Sequence, residues 1–237
     1  MADDNCIQTR DLVKDYSLGQ QRVRALNHVT LNFVCGEFCG VVGPSGSGKT
    51  TLLNIMGSLD SPTSGRAIVL DRDIASLTHK EAAQLRNHHF GFIFQTFNLL
   101  PVYSVFENVE FPLLLLGYPA SERKKMVLEA LEWVKLTDKE KARPNQLSGG
   151  ESQRVAVARA IVKKPKIVFA DEPTANLDAQ NSRHILNIMQ SLNRQLQTTF
   201  IFSTHDEKVI QFLRRVVTLE DGRVTDDRVI ENSGSES

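Results

Sequence analysis

Eight residues, Gly43-Pro44-Ser45-Gly46-Ser47-Gly48-Lys49-Thr50, fit the pattern G-x-x-x-x-G-K-[ST]. That spacing suits the binding of a polyphosphate. The glycines let backbone N–H groups turn inward around phosphate oxygens, and a helix start just downstream adds partial positive charge. Lys49 is then placed for the β- and γ-phosphates, and the Thr50 hydroxyl for a Mg²⁺ ion. Thr51 extends the same binding loop.

A second group of polar residues suits hydrolysis. Ile167-Val168-Phe169-Ala170 is an apolar run that ends in Asp171-Glu172. At the carboxyl edge of a strand both acids face a phosphate crevice. Asp171 is expected to hold Mg²⁺ and Glu172 to polarise the attacking water as a general base. His205 follows another apolar run, Thr199 to Ser203, and is expected to contact the γ-phosphate. Gln95 closes a third run, Phe90 to Phe94, from which its amide can reach Mg²⁺ or the attacking water.

A third group is Leu147-Ser148-Gly149-Gly150-Glu151. The glycines expose backbone N–H groups at a helix start and Ser148 adds a hydroxyl, which makes a second anion cradle. One γ-phosphate does not need two complete cradles from one chain. A head-to-tail dimer resolves this, each chain closing its second cradle over the other's nucleotide.

The elements that must carry these residues follow from periodicity. Ile7 to Tyr16 and Ala25 to Phe33 read as strands, separated by Ser17-Leu18-Gly19. Phe38 to Val42 is a short strand feeding the glycine-rich loop. Thr51 to Leu59 has helical spacing, as do Ser121 to Leu136 and Ser182 to Leu196. Thr78 with Glu81 forms a capping box for a helix to about His88. Continuous apolar runs such as Ile167 to Ala170 indicate strands buried on both faces. Asp221-Gly222 between Val216–Leu219 and Arg223–Thr225 marks a hairpin. Strands alternating with helices indicate an α/β fold with a parallel sheet and crossover helices. Residues 97–155 read as a mostly helical insert. The Ser/Glu-rich tail from Glu231 is expected to be disordered.

The bulk numbers exclude other classes. The 237 residues carry 28 Lys and Arg against 28 Asp and Glu, so no basic excess argues for nucleic acid. No apolar run approaches the ~20 residues of a membrane span, and Phe111 to Leu116 is short and contains Pro112. The polar start, Met1 to Cys6, is not expected to be a signal peptide. Three cysteines, Cys6, Cys35 and Cys39, are an odd, low count that suits a reducing compartment; Cys35 and Cys39, which flank the start of an apolar strand, are expected to be small buried apolar residues, with a metal or redox pair as the alternative.

In order and spacing, these motifs closely resemble the ABC ATPase family. The resemblance covers almost the whole chain: Walker A (Gly43 to Thr50), the Q-loop (Gln95), the signature (Leu147 to Glu151), Walker B (Ile167 to Asp171), Glu172, the D-loop (Asn176-Leu177-Asp178) and the switch His205. It implies a P-loop NTPase (RecA-like) core with an antiparallel β subdomain, formed by residues 1–96 and 156–230, with 97–155 as the helical signature subdomain. It further implies ATP and Mg²⁺ as cofactors and Tyr16 as the aromatic on adenine. Ser148, Gly149, Gly150 and Asp178 would meet the nucleotide of a second copy. Integral membrane permease subunits are the other implied partners. They would hold the chain on the cytoplasmic, inner face of the cell membrane.

Phe90-Gly91-Phe92-Ile93-Phe94-Gln95, Phe97-Asn98-Leu99-Leu100-Pro101 and Glu107-Asn108-Val109 resemble the lipoprotein-releasing and macrolide-export ATPases. Ala175 departs from the Gly expected there. An amino-acid importer ATPase is the alternative within transporters, and a soluble non-transport ABC protein is the distant one. Phe97, Leu99, Leu100, Pro101, Tyr103 and Val105 are expected to line a groove for a permease helix, or else to pack the insert's own core.

Overall fold

The computed structural model describes residues 5–19 and 21–230; the tail expected to be disordered, from Glu231, lies outside them. Two sheets form the frame. Strands β1 (Asn5–Leu18), β2 (Gln21–Val34), β4 (Ser64–Val69) and β5 (Arg72–Asp73) make an antiparallel sheet of order β2-β1-β4-β5. The second sheet has six strands: β3 (Phe38–Val42), β6 (Phe90–Ile93), β7 (Ile167–Asp171), β8 (Thr199–Thr204), β9 (Arg215–Glu220) and β10 (Arg223–Val229). Their order is β10-β9-β3-β8-β7-β6, parallel except for the β9–β10 hairpin.

Alternation within the parallel strands supplies two cores. Phe38, Val168, Ala170, Phe200 and Phe202 face the helical side, while Cys39, Val41, Ile167, Phe169 and Ile201 face the antiparallel sheet. These residues are at most 2% exposed, which explains why the strands read as unbroken apolar runs. Both faces of this sheet are core.

The helices are α1 (Lys49–Met56), α2 (His79–His89), α3 (Val105–Leu115), α4 (Ala120–Trp133), α5 (Gly149–Ile161), α6 (Ala179–Leu196) and the short α7 (Glu207–Ile210). Capping boxes start three of them: Thr78 with Glu81, Ser104 with Glu107, and Ser148 with Glu151. The last two carry the same S/T-x-x-E signal as the first, though only the first was read from the sequence. Within 97–155 the helices are α3, α4 and the start of α5. The boundary proposed at 155 falls inside α5, a continuous helix with Val155 to Ala158 buried on both sides of it.

The cysteine expectation is corrected. Cys39 is a buried free thiol, but Cys6 and Cys35 form a disulfide with Cα atoms 5.0 Å apart. Antiparallel pairing causes this. The register places Asn5 opposite Val34, so the two cysteines meet where the ladder ends. Among the described residues no helix is long and apolar enough to cross a membrane.

Candidate active site

The site is built on β3, which is buried along its whole length and ends at the glycine-rich loop. Two glycines are obligatory there. Gly43 has φ 150°, and a Cβ on it would lie 2.1 Å from the Leu219 carbonyl oxygen. Gly48 has φ 103°, and its Cβ would lie 2.3 Å from the Ala25 carbonyl oxygen. Side chains are excluded so that the loop can press against β2 and β9. The β9–β10 hairpin braces the loop from below: the Gly222 N–H donates to Ser47 O at 3.0 Å, and the Asn27 N–H donates to Gly222 O at 2.8 Å. Sequence reading found the hairpin but not its place. Gly48 caps α1 with no side-chain partner, so the helix N-terminus stays open toward the loop.

A cavity of about 450 Å³ lies over this loop. It is lined by Ser45, Gly46, Gly48, Lys49, Thr50 and Thr51 from the loop and α1, by Gln95, Asp171, Glu172 and His205 from other strand ends, and by Ala25 and Ala175. Four stretches distant in sequence therefore meet at the carboxyl ends of the parallel strands. The Lys49 ammonium donates to Gly43 O at 2.7 Å and Pro44 O at 2.8 Å. Burial pulls its pKa below the ordinary lysine value, opposed by the charges of Glu172 and Asp171. The Thr50 hydroxyl lies 3.1 Å from both Asp171 carboxylate oxygens. Ser47 Oγ is buried without a partner, as suits a loop built around a ligand with acceptor oxygens.

Glu172 sits just past β7 in left-handed backbone, φ 45°. Its carboxylate lies 2.6 Å from His205 Nδ1 and accepts from Thr204 Oγ1 at 3.2 Å. Thr204 was not singled out by sequence; position at the end of β8, one residue before His205, was the available signal. The Gln95 carbonyl accepts from Asn176 Nδ2 at 2.9 Å, which joins the loop after β6 to the loop after β7.

Three predicted groups do not reach the cavity. Ser148, Gly149 and Gly150 start α5 elsewhere on the chain. Ser148 is engaged with the Glu151 N–H at 3.2 Å, and a Cβ on Gly150 would meet Asn181 Oδ1 at 2.6 Å. Asp178 caps α6, accepting from the Asn181 N–H at 2.8 Å. Tyr16 lies beside the site, not in it; its hydroxyl donates to Asp60 at 2.8 Å, and the Lys14 ammonium sits 4.9 Å from its ring centre.

A separate groove of about 370 Å³ lies between α2, β6, α3 and the end of α5. Leu59, Phe92, Phe94, Leu100, Phe111 and Leu115 supply its apolar wall. Of the six residues expected there, Leu100 lines it. Val105, the first residue of α3, is fully buried in the core, and Leu99, in the loop before that helix, packs against the same core. Phe97, Pro101 and Tyr103 do not line it either. Phe97 and Asn98 occupy left-handed backbone, and their carbonyls accept from Arg159 at 2.7 and 2.6 Å.

A family profile described as "ABC transporter" matches residues 26–175. The chain is 45% identical over 222 residues to the lipoprotein-releasing system ATP-binding protein LolD of Pseudoalteromonas translucida, covering 94% of this chain and 96% of that one. It is 43% identical over 222 residues to the macrolide export ATP-binding/permease protein MacB of Chlorobaculum tepidum, but spans only 34% of that protein's length. The dimeric, post-hydrolysis structure of the ATP-binding cassette MJ0796 bound to ADP and Pi superimposes with a TM-score of 0.87 at 39% identity, covering 94% of this chain and 98% of that one. A phosphate loop, an acidic strand end and a separate signature loop, set on this fold and matched along this length, show that the chain belongs to the ABC transporter family, as one of its ATPase cassettes.

Proposed function

We propose that the chain binds and hydrolyses ATP to drive a membrane transporter of the lipoprotein-releasing or macrolide-export type. The observation that carries the reading is the meeting of Lys49, Thr50, Asp171, Glu172 and His205 around one glycine-rich loop. The likeness to LolD and MacB supports the transporter class.

In this reading the loop N–H groups and Lys49 hold the β- and γ-phosphates of ATP. Ser45, Gly46, Ser47 and Gly48 form the cradle, and Tyr16 flanks the adenine side. Thr50 and Asp171, with Gln95, are hard oxygen donors that fit Mg²⁺. When bound, the ion would neutralise developing phosphate charge. Glu172 takes a proton from water as the water oxygen bonds to the γ-phosphorus, and the bond from that phosphorus to the ADP oxygen breaks. His205 holds the Glu172 carboxylate in place and faces the γ-phosphate.

The signature loop is complete yet lies outside its own chain's cavity. It is therefore read as closing over the nucleotide of a second copy, with Ser148, Gly149, Gly150 and Asp178 as its contacts. Two ATP molecules would then be buried between two chains, and hydrolysis would release them. The apolar groove is read as the seat of the permease, which would hold the chain at the cytoplasmic face of the membrane.

Glu172→Gln should keep ATP affinity, lose at least about 100-fold in hydrolysis and accumulate as an ATP-bound dimer. Nucleotide binding, phosphate release and size-exclusion chromatography measure the three. Hydrolysis at the wild-type rate would remove Glu172 from the role of general base.

A further inference from the structure

Gln153 lies on α5, four residues after Gly149, and is 0% exposed. Its Nε2 donates to the Pro173 carbonyl at 2.6 Å, and its Oε1 is buried with no partner. Pro173 is the residue after Glu172. It has no N–H, so its carbonyl is the one backbone polar group by which the chain can be gripped at that point.

The grip falls where the backbone needs it. Glu172 is a non-glycine residue at φ 45°, a conformation that persists only when its surroundings over-determine it. Its N–H donates to Ser203 O at 2.9 Å, its carbonyl accepts from the Ala175 N–H at 3.3 Å, and its carboxylate is held by Thr204 and His205. These contacts tie it to β8 and to its own loop. The Gln153 bond is different in kind, because it ties that loop to the helix that begins at the signature. The same helix carries Arg159 to the groove at its far end, where Lys163 follows in the turn after it. Two more residues of the loop also meet this region: Asn176 bonds the Gln95 carbonyl, and Leu177 packs beside Gly149.

We propose that Gln153 is a positioning residue for hydrolysis: its amide carries the seat of the signature helix to the Pro173 carbonyl and so sets the aim of the Glu172 carboxylate. Movement of α5, whether from the partner's nucleotide at one end or from the groove at the other, then reaches the base through the Gln153–Pro173 hydrogen bond, next in the chain to Glu172. The inference rests on the assignment of Glu172 above.

The test compares Gln153→Met and Gln153→Glu with wild type and with Glu172→Gln, all as purified full chains. Gln153→Met keeps the volume and removes the donor. It should lower kcat on the order of 10- to 100-fold, with ATP KM and the affinity for a non-hydrolysable ATP analogue changed less than about threefold. Gln153→Glu adds a readout that packing alone does not move. Its carboxylate repels the Pro173 carbonyl, whereas its protonated acid donates to it. Its kcat relative to wild type at each pH should therefore rise as the pH falls, while that of Gln153→Met stays flat. Unchanged kcat in Gln153→Met, a parallel loss of kcat and analogue binding, or matching flat pH ratios for both variants would each overturn the proposal. If Glu172→Gln itself hydrolyses ATP normally, the assignment of the base fails, and that result is distinct from any of these.

Discussion

Lys49 shows how one residue's environment sets its task. The residue is 7% exposed, and its ammonium lies between two loop carbonyls. Burial lowers its pKa, and the carboxylates of Glu172 and Asp171 act the other way. A phosphate brought into the loop supplies nearby negative charge that favours the protonated form. Lys49→Ala removes the cation while Thr50 and the loop amides remain. It should weaken ATP binding by at least about 100-fold, in line with the ~3 kcal/mol scale of a charge-assisted hydrogen bond. Titration with a fluorescent ATP analogue checks this, and retained affinity would move the phosphate contact to another group.

At the scale of elements, the informative features are joints. Lys163, near the end of α5, donates to the carbonyls of Arg86 and Asn87 in the last turn of α2. A cation there satisfies C-terminal carbonyls that helix geometry leaves open. Burial lowers the Lys163 pKa from 10.5 to about 8. The unfolded chain therefore binds more protons between about pH 8 and 10.5, and stability rises with pH across that window. Below pH 8 both states are protonated and the cost of the buried charge is constant. Relative to Lys163→Met, wild type should gain up to about 3 kcal/mol between pH 8 and 10.5, measured by urea unfolding at several pH values.

The Cys6–Cys35 disulfide joins another pair of elements, the start of β1 and the turn before β3. Its sequence separation of 29 corresponds to about 3–4 kcal/mol in the chain-entropy account of cross-links. Reductant should therefore lower the unfolding midpoint of wild type and leave Cys35→Ser unmoved. Equal shifts in both would place the effect elsewhere.

The whole molecule separates two surfaces. The cavity at the strand ends gathers the residues proposed for hydrolysis, while the groove between α2, β6, α3 and α5 has an apolar wall, of which Leu115 is 57% exposed. In the reading above, this groove is the seat of the permease. Leu115→Asp should leave ATP hydrolysis by the purified chain unchanged. In a tagged Glu172→Gln background it should lose the membrane protein that co-purifies from detergent-solubilised membranes with ATP. A co-purified permease unaffected by Leu115→Asp would put the seat elsewhere.

The sequence by itself determined the class of fold and which motifs carry the residues proposed for the chemistry. Local rules were enough for that. G-x-x-x-x-G-K-T, an apolar strand ending in two acids, and a glycine pair at a helix start each depend on neighbours within a few residues, and apolar runs and helical periodicity located β3, β7, β8 and α6, though not β4, β5 or α3. Phe38–Val42 was read with the bounds the structure has. Tertiary structure decided what faces what. The Tyr16 hydroxyl went to Asp60, Val105 went into the core, and the signature loop went outside its own cavity. Cys6 met Cys35 because a strand register, not a spacing, put them together. Contacts such as Gln153 to Pro173 or Gly222 to Ser47 join segments whose separation carries no periodic signal. They arise only when two elements pack, and packing is a property of the assembled faces, so no window of sequence contains it.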